Sequence, residues 1–370
     1  EATRVSQELG VRYVVEVEFT RGERAIALAY RIVDGLSGQA VTASRVERPA
    51  SRLFDLQDTL LREVLSSLPL ATAANHPDPV GDYGTDDLEA YDYYLRGQAF
   101  YHLASAEDNE RARQMFRRAL EIDPDFARAY AQLAMTYVND LRFGWNNAGE
   151  ASLAQARESA ETAVELDHES AQAHRAAGHV SILGGDPEAA TAAGERAIEL
   201  SPGLADAYVV VGTGRTLAGD ADAGVELIQQ AIRMNPYAPL AYSLGLGRAR
   251  FFAGDFREAR LQLERAIELN PNMVTPHVLL AATLGRLGEQ EEAARRAQQV
   301  LTLDPGFTME GWLARERITD EAYADSLAQG LKIAGLVTEK PKERSWLRLP
   351  GLKLPDLEPR QAPDHNSDRR

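Results

Sequence analysis

The residue types that carry most enzyme chemistry are sparse and isolated in this 370-residue chain. There is no Cys, which excludes thiolate nucleophiles, disulfides and sulfur-ligated metals. The seven His are scattered singly, and none has the H-x-x-x-H spacing that places two metal ligands on one helix face. No Gly-x-Ser-x-Gly elbow and no phosphate-binding Gly-Lys-Ser/Thr loop occur. The sequence therefore predicts a non-enzymatic segment with no cofactor and no metal.

The charge balance limits the partners that the chain can bind. It has 56 acidic and 40 basic residues, a net charge of −16. Nucleic-acid binding depends on neutralising phosphates with Lys and Arg, so we do not expect a nucleic-acid ligand. No apolar run approaches the about 20 residues of a membrane-spanning helix. We expect a soluble protein of the cytoplasm, with the periplasm as the alternative, because a Cys-free composition does not choose between them.

One sequence pattern occurs three times between residues 172 and 271. Each copy has a small residue in a first helix, a Gly-Asp pair at a turn, a small residue in a second helix, and a closing Pro. The small residue lets the partner helix approach closely, the turn Gly adopts a left-handed conformation, and Pro cannot continue the preceding helix. The closing residues Pro202, Pro236 and Pro271 are 34 and 35 residues apart. This period is typical of a helical repeat array.

The pattern resembles the tetratricopeptide repeat, a two-helix unit of 34 residues. With less regular copies on either side, we count about six repeats within residues 88–306. The resemblance implies a mainly α fold, an α-solenoid wound as a right-handed superhelix, with a concave groove that binds a peptide or protein. An offset from the small mid-helix residue, together with flanking aromatic residues, assigns the groove to Tyr94, Gln98, Tyr101, His102, Asn139, Arg175, His179, Arg248, Phe252 and Arg286.

Three of these residues, Arg175, Arg248 and Arg286, align across the predicted groove of an acidic array. Two interpretations remain open. In one, each Arg pairs with a neighbouring acidic residue. In the other, exposed Arg side chains bind an anion or an acidic peptide between aromatic rings.

Residues 1–70 are predicted to form a small α/β domain. Apolar and polar residues alternate from Val11 to Thr20, which predicts a half-buried strand, and two further strands and one helix follow. A meander with one helix has too little core to stand alone, so we expect part of this domain upstream of Glu1. Residues 7–16, 31–38 and 53–58 resemble the C-terminal half of the TolB-amino-terminal-like domain. In bacterial signalling proteins that domain precedes tetratricopeptide arrays and follows cyclase, kinase or winged-helix output domains.

We therefore expect a partial TolB-like domain (1–70), a linker (71–87), the repeat array (88–306), capping helices (307–338) and a disordered tail (339–370). The predicted function is a protein-interaction or regulatory scaffold of a bacterial signalling protein, with a protein or peptide partner and no membrane insertion. The alternative is the non-catalytic C-terminal half of a nucleotide cyclase or Ser/Thr kinase, whose catalytic domain lies upstream of residue 1.

Overall fold

The computed structural model describes residues 2–22, 25–49, 53–68, 83–146, 149–316, 318 and 320–336. These residues form sixteen helices and three strands, so the predicted mainly α fold is confirmed. The predicted tail and most of the predicted linker lie outside the described residues. Within the described part of the chain, no helix is both long and apolar enough to cross a membrane.

The N-terminal unit is an antiparallel sheet with one long helix packed on it. It consists of α1 (Ala2–Leu9), β1 (Tyr13–Arg21), β2 (Ala25–Asp34), β3 (Ala40–Pro49) and α2 (Leu53–Ser67), with strand order β1-β2-β3. Helix α2 packs on β3 and β2. The small core between them includes the fully buried Ile32 and Leu56.

Strand β1 is less buried than the alternation in the sequence predicted. Val15, Val17 and Phe19 are 38%, 50% and 54% exposed. The reason is that α2 makes its contacts on β2 and β3, which leaves the edge strand β1 less covered. Alternation therefore predicted the strand but not what covers it.

Six helix pairs follow and stack into the solenoid that the repeat pattern predicted. Within each pair the helices pack together, and each pair packs on the next. We call the side of the array formed by the first helix of each pair the inner face. The pairs are α3 (Leu88–Tyr101) with α4 (Ala106–Ile122), α5 (Ala127–Phe143) with α6 (Gly149–Leu166), α7 (Ala171–Gly184) with α8 (Pro187–Leu200), α9 (Ala205–Leu217) with α10 (Ala221–Met234), α11 (Leu240–Phe252) with α12 (Phe256–Leu269), and α13 (Val274–Leu287) with α14 (Gln290–Leu303).

The Gly-Asp pairs form the turns between paired helices. Gly185, Gly219 and Gly254 have φ of 77°, 98° and 80°, a left-handed conformation that favours Gly. The Asp after each Gly caps the next helix: the Asp186 carboxylate accepts a hydrogen bond from the Ala189 backbone N–H at 2.9 Å, and the next two repeats do the same. Each pair of residues thus ends one helix and begins another.

The small mid-helix residues allow the close helix contact that the sequence predicted. A Cβ atom added at Gly212 of α9 would lie 2.7 Å from the Ile228 side chain and 3.0 Å from the carbonyl oxygen of Gly224. Both neighbours belong to α10. A larger side chain at this position would push the two helices apart.

The chain continues through α15 (Met309–Arg315) and α16 (Glu321–Ile333). Helix α16 packs mainly on α13, a first helix, and much less on α14. At the crossing, a Cβ added at Gly285 would lie 2.2 Å from the carbonyl oxygen of Gly330. Leu327 and Leu331 of α16 are fully buried. The last helix therefore lies along the inner face.

Candidate functional site on the inner face

A partly buried polar cluster joins the first helices α5, α7 and α9. Arg175 and His179 lie one turn apart on α7 and are 7% and 3% exposed. Both contact the Asp206 carboxylate of α9: Arg175 Nη1 and His179 Nε2 lie 2.8 Å and 3.1 Å from Oδ2. Arg142, in the last turn of α5, places Nη2 3.1 Å from His179 Nδ1. We call these four residues the Arg142 cluster.

Arg142 reaches the cluster because α5 is longer than the first helices that follow it. Helix α5 has 17 residues and α7 has 14. Its last turns are held by Asp140, which forms a buried ion pair with Arg113 and accepts a 2.9 Å hydrogen bond from Asn109. The extra residues of the second repeat thus extend a helix and carry Arg142 onto the inner face.

The hydrogen bonds define the protonation state of His179. A guanidinium can only donate, so Arg142 donates to Nδ1, which must be unprotonated. Nε2 then carries the proton and donates to Asp206. Burial lowers the pKa of His179, and this outweighs the opposing effect of Asp206. His179 is therefore a neutral imidazole that bridges Arg142 and Asp206.

Asp206 is the one carboxylate of the cluster. Burial by itself raises its pKa, but His179 and Arg175 outweigh burial and hold the pKa of Asp206 well below its ordinary value. Its place in the first turn of α9 also favours the charged form, because a helix N-terminus carries partial positive charge. Asp206 is therefore ionised and accepts hydrogen bonds from two side chains.

Arg142 lacks an ion-pair partner in the part of the chain that the structure describes. Its polar contact there is His179, which is neutral. Burial lowers the pKa of Arg142. Tyr101 and Asp206 oppose that shift, whereas two nearby Arg side chains add to it. Arg142 is half-buried, and a partly desolvated guanidinium without a carboxylate is unfavourable, because its lost hydration is not offset by an opposite charge.

The surroundings of Arg142 have an excess of positive charge. Arg142, Arg175 and Arg248 lie near one another. Against these three guanidinium groups stand the carboxylates of Asp206 and of Glu316, which pairs with Arg248. Among the residues that the structure describes here, one positive charge is left over, in a chain whose net charge is −16.

Four predicted groove residues lie at or beside the Arg142 cluster: Tyr101, Asn139, Arg175 and His179. Asn139 is 6% exposed and lies beside the Tyr101 hydroxyl. Burial raises the pKa of Tyr101. The tyrosine therefore remains a neutral donor next to Arg142.

Three more predicted residues lie on α3 or directly after its last residue, at the start of the inner face. The Gln98 side-chain amide donates a 2.8 Å hydrogen bond to the hydroxyl of Tyr94, and both side chains are half-buried. His102 is exposed, and its ring meets that of Tyr101 edge-on at 5.9 Å between centroids. This part of the inner face keeps polar and aromatic groups accessible.

The remaining predicted residues are covered by the C-terminal segment of the same chain. Arg248 is 8% exposed and pairs with Glu316, which also accepts a 2.8 Å hydrogen bond from the Thr275 hydroxyl. The Phe252 ring stacks on that of Tyr323 of α16. The segment thus occupies the inner face at the fifth repeat.

Arg286, in the sixth repeat, also contacts α16. Its Nη1 donates a 2.6 Å hydrogen bond to the Ser326 hydroxyl, and its guanidinium lies 4.7 Å from the centroid of the Phe256 ring. Arg175 and Arg248 each pair with an acidic residue, as the first of the two interpretations predicted. Both side chains are buried rather than exposed, because neighbouring helices pack over them. That the ten residues bind a partner stays a prediction.

Sequence reasoning missed Arg142 and Asp206. Asp206 could have been found, because it lies 31 residues after Arg175, close to one repeat period, on the next first helix. Arg142 could not, because the longer second repeat moves it outside the offset that assigned the groove positions.

The described residues contain no group of three or more His, Asp or Glu that could hold a metal ion. The cluster offers a half-buried guanidinium, that of Arg142, which can bind an anion.

Comparisons with known proteins identify the repeats. Residues 93–126 and 244–307 match sequence models described as "Tetratricopeptide repeat". The chain therefore contains tetratricopeptide repeats.

One curated relative is 33% identical over 171 residues: a protein of Rhizobium meliloti (strain 1021) named "Putative adenylate cyclase 3". The match covers 46% of this chain and 29% of that protein, so the chain spans less than a third of the relative's length. Among solved structures, the Cut9–Hcn1 hetero-tetramer of the APC/C is 15% identical with a TM-score of 0.46, covering 76% of this chain and 54% of that chain. Pseudomonas aeruginosa pilF is 19% identical with a TM-score of 0.42, covering 59% and 93%.

Proposed function

We propose that this protein is a protein-interaction scaffold whose inner face binds an acidic segment of a partner protein at the Arg142 cluster. The observation that carries the proposal is the half-buried guanidinium of Arg142, which has no carboxylate within ion-pair distance among the described residues. A partner carboxylate would supply the missing charge. Charge-assisted hydrogen bonds from Arg to carboxylate are among the stronger polar interactions, and more so in a desolvated site.

The approach to Arg142 runs along α3. Tyr101 and Asn139 lie beside the cluster, and Gln98 and the exposed His102 extend a polar surface away from it. The C-terminal segment covers the inner face at the fifth and sixth repeats, so the partner segment would lie on the first four. It would bind in an extended or helical form, with one carboxylate at Arg142.

Short synthetic peptides test this proposal. A Glu-rich peptide is expected to bind the full chain, as measured by fluorescence anisotropy, whereas a matched peptide with Gln in place of Glu binds much more weakly. Arg142→Gln is expected to weaken binding of the Glu-rich peptide by at least about tenfold, since a lost charge-assisted hydrogen bond is worth about 1.5–3 kcal/mol.

The matched control is Arg96→Gln. Arg96 lies on α3 and pairs with Asp92 at the surface, with its side chain 58% exposed. This variant makes the same change in net charge away from the cluster and should bind like the unmodified chain. Binding that is unaffected by Arg142→Gln, or equal for the Glu and Gln peptides, would contradict the proposal.

A second candidate function is regulation of a nucleotide cyclase in a bacterial signalling protein of the cytoplasm. It is favoured by the 33% identity to the Rhizobium meliloti protein, whose name gives an adenylate cyclase. In this version the present chain is a non-catalytic region, and the catalytic domain and the rest of the TolB-like domain lie upstream of residue 1. The purified chain would then form no cyclic AMP from ATP, and adding it to a cyclase catalytic domain would change that domain's rate. Cyclic AMP formation by the chain alone would contradict this assignment.

A further inference from the structure

Strand β1 is one of the two edge strands of the N-terminal sheet. Strand β1 pairs with β2 in continuous register from Tyr13 to Arg21, and no strand among the described residues pairs with its other side. Edge strands present unpaired N–H and C=O groups, and proteins usually protect them with Pro, bulges or a covering element. Strand β1 has no Pro, and its register with β2 has no bulge. Among the described residues, nothing pairs with this edge, so it is open there to another strand.

The face of β1 that lies on the α2 side is apolar and uncovered. Val15 lies opposite Ile32 of β2, and Phe19 opposite Leu28. The two β2 residues are 0% and 6% exposed, whereas Val15 and Phe19 are 38% and 54% exposed. The buried part of this face thus stops at β2, and Val15 and Phe19 of β1 are exposed. A strand added beside β1 would shield these two side chains from water.

Charge on the opposite face of β1 selects among the ways in which two copies could pair. Residues directly opposite in an antiparallel pair share a face, so each allowed register brings apolar residues together. A two-fold axis at Val17 would place Glu16 opposite Glu18 of the other copy, which is repulsive. An axis at Val15 instead places Glu18 opposite Arg12, which is attractive.

Arg12 and Glu18 can both take part in such a contact. The Arg12 side chain is 63% exposed, and its pairing with Asp34, at 3.3 Å, leaves further guanidinium N–H groups free to donate. Glu18 is exposed and makes no ion pair within the described ranges. By two-fold symmetry the Arg12–Glu18 contact would form twice.

We propose that two copies of this chain associate through β1, antiparallel and centred on Val15, to form a continuous six-stranded sheet. Val15 then faces Val15 of the second copy, and Val17 faces Tyr13. The contact uses the same surface on both copies and closes on itself, so association stops at the dimer. This surface is separate from the inner face and does not depend on partner binding there.

The Cys-free chain allows a direct test by single substitution. In the proposed register, Val15→Cys places two sulfurs on directly opposite residues, whose Cα atoms are about 4.5–5.5 Å apart, within disulfide range. Mild oxidation of the full chain should give a covalent dimer on a non-reducing gel. Val17→Cys is the matched control, since the two Cys would lie about 13 Å apart along the strand direction and should not cross-link.

Charge reversal tests the same register without a cross-link. Glu18→Arg would place like charges opposite each other, and sedimentation equilibrium should show at least about a tenfold weaker dimer. Glu47→Arg makes the same charge change on β3, outside the contact, and should leave the association unchanged.

Three results would overturn the proposal. The first is a full chain that stays monomeric at every concentration tested. The second is a disulfide that forms through Val17→Cys rather than Val15→Cys, which would reject the charge-selected register. The third is hydrogen exchange showing β1 fully protected in a monomer, which would mean that another segment of the chain covers the edge.

Discussion

The ring of Phe252 stacks on the ring of Tyr323, with centroids 3.9 Å apart and planes 11° from parallel. Phe252 belongs to the fifth repeat and Tyr323 to the last helix, so the stack fixes α16 against the inner face. The contacts of Glu316 and Ser326 with Arg248 and Arg286 extend the same arrangement. The chain thus uses part of its own inner face, and the polar cluster at Arg142 lies outside that part.

Removing the stacked ring is expected to loosen α16. Tyr323→Ala should lower the free energy of unfolding by at least about 1 kcal/mol, because an aromatic pair adds about 0.5–1.5 kcal/mol to the loss of buried area. Hydrogen exchange should rise in α16 first. Tyr237→Ala is the matched control, since Tyr237 is 70% exposed. Equal effects of the two variants would contradict a structural role for the stack.

Filling the close contact between α9 and α10 is expected to destabilise the array. Gly212→Leu should lower the free energy of unfolding by about 1–3 kcal/mol, although Leu is the better helix former, because Ile228 and the Gly224 backbone leave no room. Urea unfolding followed by circular dichroism measures the change. Gly203→Leu, where no atom lies within 4 Å of an added Cβ, should have almost no effect. If Gly212→Leu left the free energy of unfolding unchanged, the two helices would not be closely packed.

Removing the carboxylate of the Arg142 cluster is expected to be strongly destabilising. Asp206→Ala leaves Arg175 buried without its partner, and breaking a buried pair costs about 3–5 kcal/mol. Because the Asp206 side chain is 25% exposed, we expect the lower end of that range. Chemical denaturation measures the loss. A loss below about 1 kcal/mol would show that water already solvates Arg175.

The opposite result is expected for Arg142. Arg142→Met removes a half-buried charge that has no carboxylate partner among the described residues. This gain offsets the lost hydrogen bond to His179, so the free energy of unfolding should change little. Binding of the Glu-rich peptide should be lost in the same variant. A variant that remains stable but no longer binds the peptide would identify Arg142 as a residue retained for partner binding. A large loss of stability would instead give Arg142 a structural role.

Stability is expected to fall in mild acid because of His179. Burial lowers its pKa in the folded chain, so the folded state favours the neutral ring. The stabilisation is complete above the unfolded pKa of about 6.5 and is lost as the pH falls below it, by up to about 1.4 kcal/mol per pH unit. His277, whose pKa burial also lowers, acts in the same direction.

Unfolding measurements between about pH 8 and about pH 5 test this dependence. His179→Gln should reduce the slope of stability against pH, whereas His102→Gln, at an exposed position, should not. A slope unchanged in His179→Gln would show that the pKa of His179 is the same in the folded and the unfolded chain.

The sequence by itself determined the repeat array. Its signals are local: Gly219 ends a helix, Asp220 begins the next, and Gly212 allows the two to pack. Each signal acts within one or two helical turns or one helix pair, so a 34-residue period is enough to predict six pairs. The three N-terminal strands were predicted from alternation for the same reason.

The tertiary structure decided which of the predicted groove residues are exposed. Arg248 and Glu316 are 68 residues apart, and the repeat pattern contains no information about where the last helix packs. The position of Arg142 depends on the length of α5, and the exposure of Val15 depends on α2 covering the other two strands. Burial and ion pairing are set by what distant segments place beside a side chain, whereas periodicity reports only the face on which that side chain lies.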